Sequence, residues 1–96
     1  MSIISLELEA KNEERNHFRF YRLDVEKDLF NYWMLTTIYG RIGTKGTTKK
    51  FAFKNVREVE DKIKDILKRR KSAHKRIGTN YNIKEKHDPH GLLRSA

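Results

Sequence analysis

The chain has 96 residues, of which 22 are Lys or Arg and 13 are Asp or Glu, so its formal net charge is +9. This length accommodates one small domain, and the absence of cysteine excludes a disulfide framework, a thiolate metal site and a cysteine nucleophile. No apolar run approaches the ~18 residues of a membrane-spanning helix, and the acid-bearing amino terminus is unlike a signal peptide, so we expect a cytoplasmic protein with no membrane partner.

The first half of the chain shows the two-residue periodicity of strands that are buried on one face. Ile4, Leu6 and Leu8 alternate with polar residues, which predicts a first strand. The polar segment 11–16 predicts a loop, and a second strand is expected to follow it.

The second and third strands differ in how many of their faces are apolar. The second is predicted over residues 18–26, with alternate residues of segment 21–25 on one apolar face. Phe20 falls on the opposite face from these residues, which predicts either a β-bulge or a strand start with two apolar faces. Residues 31–42 are rich in aromatic and β-branched residues on both faces, which predicts a central strand.

A glycine-punctuated segment follows the third predicted strand. Residues 40–46 read Gly-Arg-Ile-Gly-Thr-Lys-Gly, which predicts a hairpin turn with positive φ at one or more glycines, followed by a strand over residues 47–53. The glycine spacing fits neither the dinucleotide fingerprint nor the P-loop. A lysine-bearing glycine turn could still bring backbone amides close to a phosphate.

The periodicity becomes helical after Asn55. Asn55 is a favourable N-cap, and Glu58 lies three residues later as in a capping box. The helix is expected to end between residues 72 and 78, and its basic last turn suits the helix dipole. One apolar stripe is formed by Val56, Val59, Ile63, Ile66 and Leu67.

These elements predict an α+β domain: an antiparallel sheet of about four strands with one long amphipathic helix packed on one face. Residues 1–81 are assigned to this domain, and residues 82–96 to a partly disordered C-terminal tail. The uncovered face of the sheet, or the turn at residues 40–46, would then be presented to a partner.

The sequence contains no convincing catalytic or metal-binding constellation. His87 and His90 flank a proline in a segment without a further ligand pair, and Glu60 falls on the polar side of the predicted helix. We therefore predict a non-enzymatic protein with no metal and no cofactor.

Charge is distributed unevenly along the chain. Residues 1–40 contain five basic and seven acidic residues, a net charge of −2, whereas residues 41–96 contain 17 basic and six acidic residues, a net charge of +11. A basic face on a small domain usually recognises nucleic acid. The alternative is an adaptor whose basic face binds an acidic partner protein.

An aromatic residue lies among cations near one turn, as in proteins that hold a nucleic-acid end or a single strand. Tyr39 could equally be a half-buried strand residue, and part of the helix-end charge has the structural explanation given above. The candidate nucleic-acid-binding residues are Tyr39, Arg41, Lys45, Lys49, Lys50, Arg69, Arg70, Lys71, Lys75 and Arg76.

Three segments resemble the WGR domain, which is named for a Trp-Gly-Arg motif. They are residues 16–25, residues 29–33 and residues 39–46, and the resemblance covers roughly residues 4–81. This domain occurs beside the catalytic domain of DNA-dependent poly(ADP-ribose) polymerases and in short stand-alone bacterial proteins. The resemblance implies an antiparallel sheet with one helix.

The resemblance also implies a role for the motif residues. In the polymerases the domain binds DNA near a strand break, the motif tryptophan packs against the terminal nucleotide, and the motif arginine relays contact between domains. By position, Tyr39 stands for that tryptophan and Arg41 for that arginine. We therefore predict a module that binds nucleic acid, and we expect the nucleic acid to be DNA, recognised at ends or nicks, more than RNA.

Overall fold

The computed structural model describes residues 3–72 and 81–88, which form a five-stranded antiparallel sheet and one α-helix. The strand order is β4-β3-β2-β1-β5, and every neighbouring pair is antiparallel. The α+β class and the single helix are confirmed, and the sheet has one strand more than predicted. The elements in chain order are β1 (Ile4–Asn12), β2 (His17–Lys27), β3 (Trp33–Arg41), β4 (Thr47–Phe53), α1 (Val56–Lys71) and β5 (Asn82–His87).

The hydrophobic core lies between one face of the sheet and the apolar stripe of α1. Side chains of consecutive strand residues point to opposite faces, so alternate residues of β1, β2 and β3 meet the helix. Val59, Ile63 and Ile66 supply the buried part of the helical stripe, as predicted. On the sheet side the core cluster contains Ile4, Leu6, Leu8, Tyr21, Leu23, Val25 and Leu35.

Both ends of α1 are capped by side chains of the chain itself. The Asn55 Oδ1 atom accepts a hydrogen bond from the Glu58 backbone N–H at 3.0 Å, which confirms Asn55 as the N-cap. Glu58 Oε1 accepts from the Asn55 side-chain Nδ2 at 3.3 Å, and not from the Asn55 backbone N–H as in a full capping box. Ser72 is the C-cap: its hydroxyl donates to the Arg69 carbonyl at 2.9 Å, and its backbone N–H donates to the Lys68 carbonyl at 3.2 Å. Four consecutive cations, residues 68–71, therefore lie at the negative end of the helix dipole.

The fifth strand comes from the segment that the sequence assigned to a disordered tail. Residues Asn82–His87 pair antiparallel with β1, with a register shift between Glu7 and Leu8. Every residue of β5 is exposed, so backbone pairing with the edge of β1, and not burial of an apolar face, accounts for the strand. The fold thus continues past residue 81, and the remainder of the predicted tail, residues 89–96, lies outside the described residues.

The start of β2 has two apolar faces and no bulge. Its pairing with β1 and with β3 is continuous, and Phe20 is buried on the face of the sheet opposite α1. The turn between β3 and β4 folds over this ring: a Cβ atom added to Gly46 would lie 2.9 Å from Phe20 Cζ. Of the two sequence-based alternatives for this strand, the structure thus shows the two-sided start.

Replacing Gly46 with alanine should destabilise the fold by about 1–3 kcal/mol. Gly46 has φ +71°, and an added Cβ would also lie 2.5 Å from the Tyr39 carbonyl oxygen. Gly43→Ala is the matched control, because Gly43 also has positive φ (+92°) but its Cβ would meet nothing within 4 Å. Urea unfolding should show a clearly larger loss at Gly46 than at Gly43, and equal losses would show that the close contacts are harmless.

Candidate nucleic-acid interface

A basic groove of about 610 Å³ lies between the sheet and the C-terminal half of α1. We call it the basic groove because five cations line it, one from β4 and four from α1. Asp65 is the one carboxylate among the described residues of its lining. Positive charge therefore dominates this concave surface, where low-dielectric walls concentrate the field. The lining cations are Lys49, Lys62, Lys68, Arg69 and Arg70.

Tyr39 forms part of the floor of the basic groove. Its ring stacks on the ring of Tyr21 with a centroid distance of 5.6 Å and an interplanar angle of 11°. Tyr39 is half-buried, and the Lys49 ammonium lies 5.8 Å from its ring centroid. Tyr39 is thus a half-buried strand residue, and its ring also forms part of the floor of the basic groove. Both interpretations that the sequence allowed for this residue are therefore compatible with its position.

Arg70 joins the helix end to two tyrosine rings. Its guanidinium carbon lies 4.1 Å from the centroid of Tyr21 and 5.6 Å from the centroid of Tyr81. Its Nε atom is buried and has no hydrogen-bond partner within residues 3–72 and 81–88. The stacked guanidinium fixes the last turn of α1 against the sheet, and it adds positive charge beside the Tyr21–Tyr39 pair.

The two adjacent lysines of β4 lie on opposite faces of the sheet. Lys49 is paired with Thr37 and lines the basic groove, whereas Lys50 is paired with Thr36 on the open face. The open face has mixed charge, exemplified by an ion pair between Arg22 and Glu7 of β1 at 3.2 Å. The structure therefore does not bring Lys50 together with the other candidate residues.

Arg41 and Lys45 lie near the glycine turn and outside the lining of the basic groove. The Arg41 guanidinium donates to the carbonyl oxygen and to Oδ1 of Asn16, at 3.2 and 3.1 Å, and its carbon lies 5.4 Å from the Phe18 ring centroid. Arg41 thus ties the β3–β4 turn to the β1–β2 turn. Lys45 is exposed in the turn itself.

The remaining candidates divide between a second surface and the undescribed segment. Lys71 lines a different depression together with Ile83, on the other side of Arg70. Lys75 and Arg76 lie outside the described residues.

Lys62 lines the basic groove although the sequence analysis did not single it out. Its ammonium lies 4.7 Å from the Phe51 ring centroid. Helical spacing could have identified Lys62, since it precedes Ile66 by four residues and Arg69 by seven and therefore lies on the same side of the helix as both. Lys68, noted only as a helix-end cation, also lines the groove.

Other kinds of site find no support in the described part of the chain. Within residues 3–72 and 81–88, no group of three His, Cys, Asp or Glu side chains is placed to hold a metal ion. The same residues contain no helix with the length and apolar character needed to cross a bilayer.

Comparison with known proteins identifies the family. The family model of the WGR domain matches residues 4–86, which covers β1 to β4, the helix and all but the last residue of β5, and extends five residues past the predicted domain end. Searches of curated proteins and of solved structures found no significant match. WGR domains generally bind nucleic acid and are not catalytic by themselves. The match covers nearly the whole chain, and the protein therefore belongs to the WGR domain family.

Proposed function

We propose that the protein binds DNA at strand ends or nicks through the basic groove. One observation carries the proposal: a stacked tyrosine pair and five cations line the same concave surface, with one carboxylate among them. Cations of this kind neutralise backbone phosphates, and an aromatic ring packs against a base or sugar. The resemblance of Tyr39 to the motif tryptophan supports the same assignment.

The geometry of the tyrosine pair favours a terminus over an internal site. Tyr21 covers one face of the Tyr39 ring, and the exposed Lys49 side chain holds its ammonium over the ring, 5.8 Å from the centroid. No more than one further ring can therefore stack on Tyr39, and the Lys49 side chain would move aside to admit it. A base inside a continuous duplex is already stacked on both sides, whereas a base at an end or nick has a neighbour that is absent or easily displaced. Tyr39 is therefore suited to a terminal nucleotide, with the groove cations against the adjoining phosphates.

A titration against four DNA forms tests this function: blunt duplex, nicked duplex, closed circular duplex and single strand, each at two salt concentrations. Blunt and nicked duplexes should bind more tightly than the circle. If all five groove cations contact phosphates, the logarithm of the association constant should fall with log salt at a slope of about −4.5 for duplex. Equal affinity for linear and circular forms would overturn end recognition, and a slope near zero would overturn phosphate contact.

The alternative proposal is an adaptor whose basic groove binds an acidic protein. The same groove charges would serve that partner, so charge alone does not separate the two. Capture of an acidic protein that persists after nuclease treatment, together with a zero salt slope for DNA, would favour the adaptor.

A further inference from the structure

The turn between β2 and β3 presents two large apolar side chains to solvent. Leu29 is 98% exposed and Phe30 is 79% exposed. The turn is nevertheless held in one shape, because Asp28 Oδ1 accepts hydrogen bonds from the backbone N–H groups of Phe30 and Tyr32 at 2.8 and 2.9 Å. Asn31 completes the turn in the left-handed region at φ 66°. We call Leu29 and Phe30 the apolar knob.

The surroundings of the apolar knob disfavour a polyanion as its partner. Glu26 and Asp28 are exposed beside it, while the nearby Lys27 places its ammonium 4.7 Å from the Trp33 ring centroid. Carboxylates at this position repel phosphates of nucleic acid and of anionic lipid headgroups. The knob therefore fits an apolar pocket with a basic rim.

The chain itself contains such a pocket. A depression of about 210 Å³ lies between the last turns of α1 and the β1–β5 edge of the sheet, and we call it the socket. Its wall includes Ile83, which is 61% exposed and is another of the large apolar side chains left open to solvent in the described residues. Apolar side chains form the interior and cations form the rim: Leu8, Leu67 and Ile83 inside, Arg70, Lys71 and Lys86 around them.

Knob and socket of one molecule are too far apart to meet. Leu8, at the socket, pairs with Tyr21, and Asp28, at the knob, lies seven residues further along the chain of β2 and its turn. At about 3.3 Å per strand residue, this corresponds to a separation of roughly 20 Å along the sheet. The two surfaces are complementary in polarity and in charge, so the knob of one copy matches the socket of another.

We propose that the protein associates head to tail, with the apolar knob of one copy in the socket of the next. The acidic residues beside the knob then face the basic rim of the socket. Such a contact is heterologous, so each copy can bind one neighbour through its knob and another through its socket, which gives assemblies larger than a dimer. With two anchoring side chains the interface is far smaller than the ~1,200 Å² typical of stable complexes, so association is weak and concentration-dependent.

Two variants that each block one side of the contact test the proposal without nucleic acid. Leu29→Ser with Phe30→Ser removes the knob and leaves the socket, whereas Ile83→Glu places a charge in the socket and leaves the knob. Sedimentation equilibrium should show a wild-type average mass that rises with concentration up to about 1 mM, and each variant alone should be monomeric. An equimolar mixture of the two variants should form a heterodimer and nothing larger.

Controls separate this contact from other associations. Lys50→Ser, an exposed substitution on the open face, should associate like wild type, and Lys86→Glu is a second socket variant that should weaken association by reversing a rim charge. Circular dichroism checks that each variant is folded, which the exposure of the substituted side chains leads us to expect. Three results would each overturn the proposal: a wild-type monomer at all concentrations, self-association by the Ile83→Glu variant, or variants that do not combine.

Discussion

Replacing Lys49 with glutamate should lower the affinity for blunt duplex DNA by roughly 10- to 30-fold at low salt, whereas the same replacement at Lys50 should lower it by less than about 3-fold. The two residues are adjacent on β4, both are exposed, and both substitutions change the net charge by the same amount. They differ in face: Lys49 lines the basic groove beside Tyr39, and Lys50 lies on the open face. Fluorescence anisotropy with a labelled duplex measures the difference.

The pair of variants controls for the long-range effect of net charge. A purely non-specific attraction between a basic protein and DNA would be reduced equally by either substitution. Equal losses at Lys49 and Lys50 would therefore contradict a site in the basic groove, and a larger loss at Lys50 would move the site to the open face.

Replacing Tyr39 with alanine should reduce the affinity for a blunt end by about 10-fold and the affinity for a closed circle much less. The stacking of one base on an aromatic side chain accounts for roughly 1–3 kcal/mol, and only a terminal base can use it here. Competition between linear and circular duplex in one assay measures the ratio directly. A ratio that the substitution leaves unchanged would show that Tyr39 does not contact the terminal nucleotide.

The structural role of Tyr39 requires its own control. The ring is half-buried and stacked on Tyr21, so Tyr39→Ala should also lower the free energy of unfolding by about 1–3 kcal/mol. Tyr39→Phe keeps the ring and removes the hydroxyl, and it should retain both stability and end preference. Binding should be measured at a temperature at which thermal unfolding curves show every variant to be fully folded.

The main elements of the fold were predictable because burial imposes a period on the sequence. Alternation identified the strands that pack on the helix, and the spacing from Val59 to Ile66 identified the helix that covers them. Strand β5 left no such signal, since all its residues are exposed and it is held through backbone pairing with β1. Only a structure could place it.

The sequence identified the kinds of residue that form the candidate site, but it did not identify which of the named residues lie together. Alternation along β4 was enough to place the two lysines on opposite faces of the sheet, because Lys49 shares its face with Phe51 and Lys50 does not. The contact of Arg41 with Asn16, 25 residues earlier in the chain, has no local signature and depends on how two turns meet. The nucleic-acid role of the candidate residues remains a prediction, which the variants above test at Tyr39, Lys49 and Lys50.

The pairing of β5 with the edge of β1 has a consequence for how the protein can be divided. A fragment that stopped at residue 81, where composition suggests an end, would retain all five groove cations. It would nevertheless uncover the hydrogen-bonding edge of β1, which β5 now occupies, and a bare edge of this kind recruits strands from other molecules. Recombinant fragments intended for biophysical work should therefore extend at least through His87.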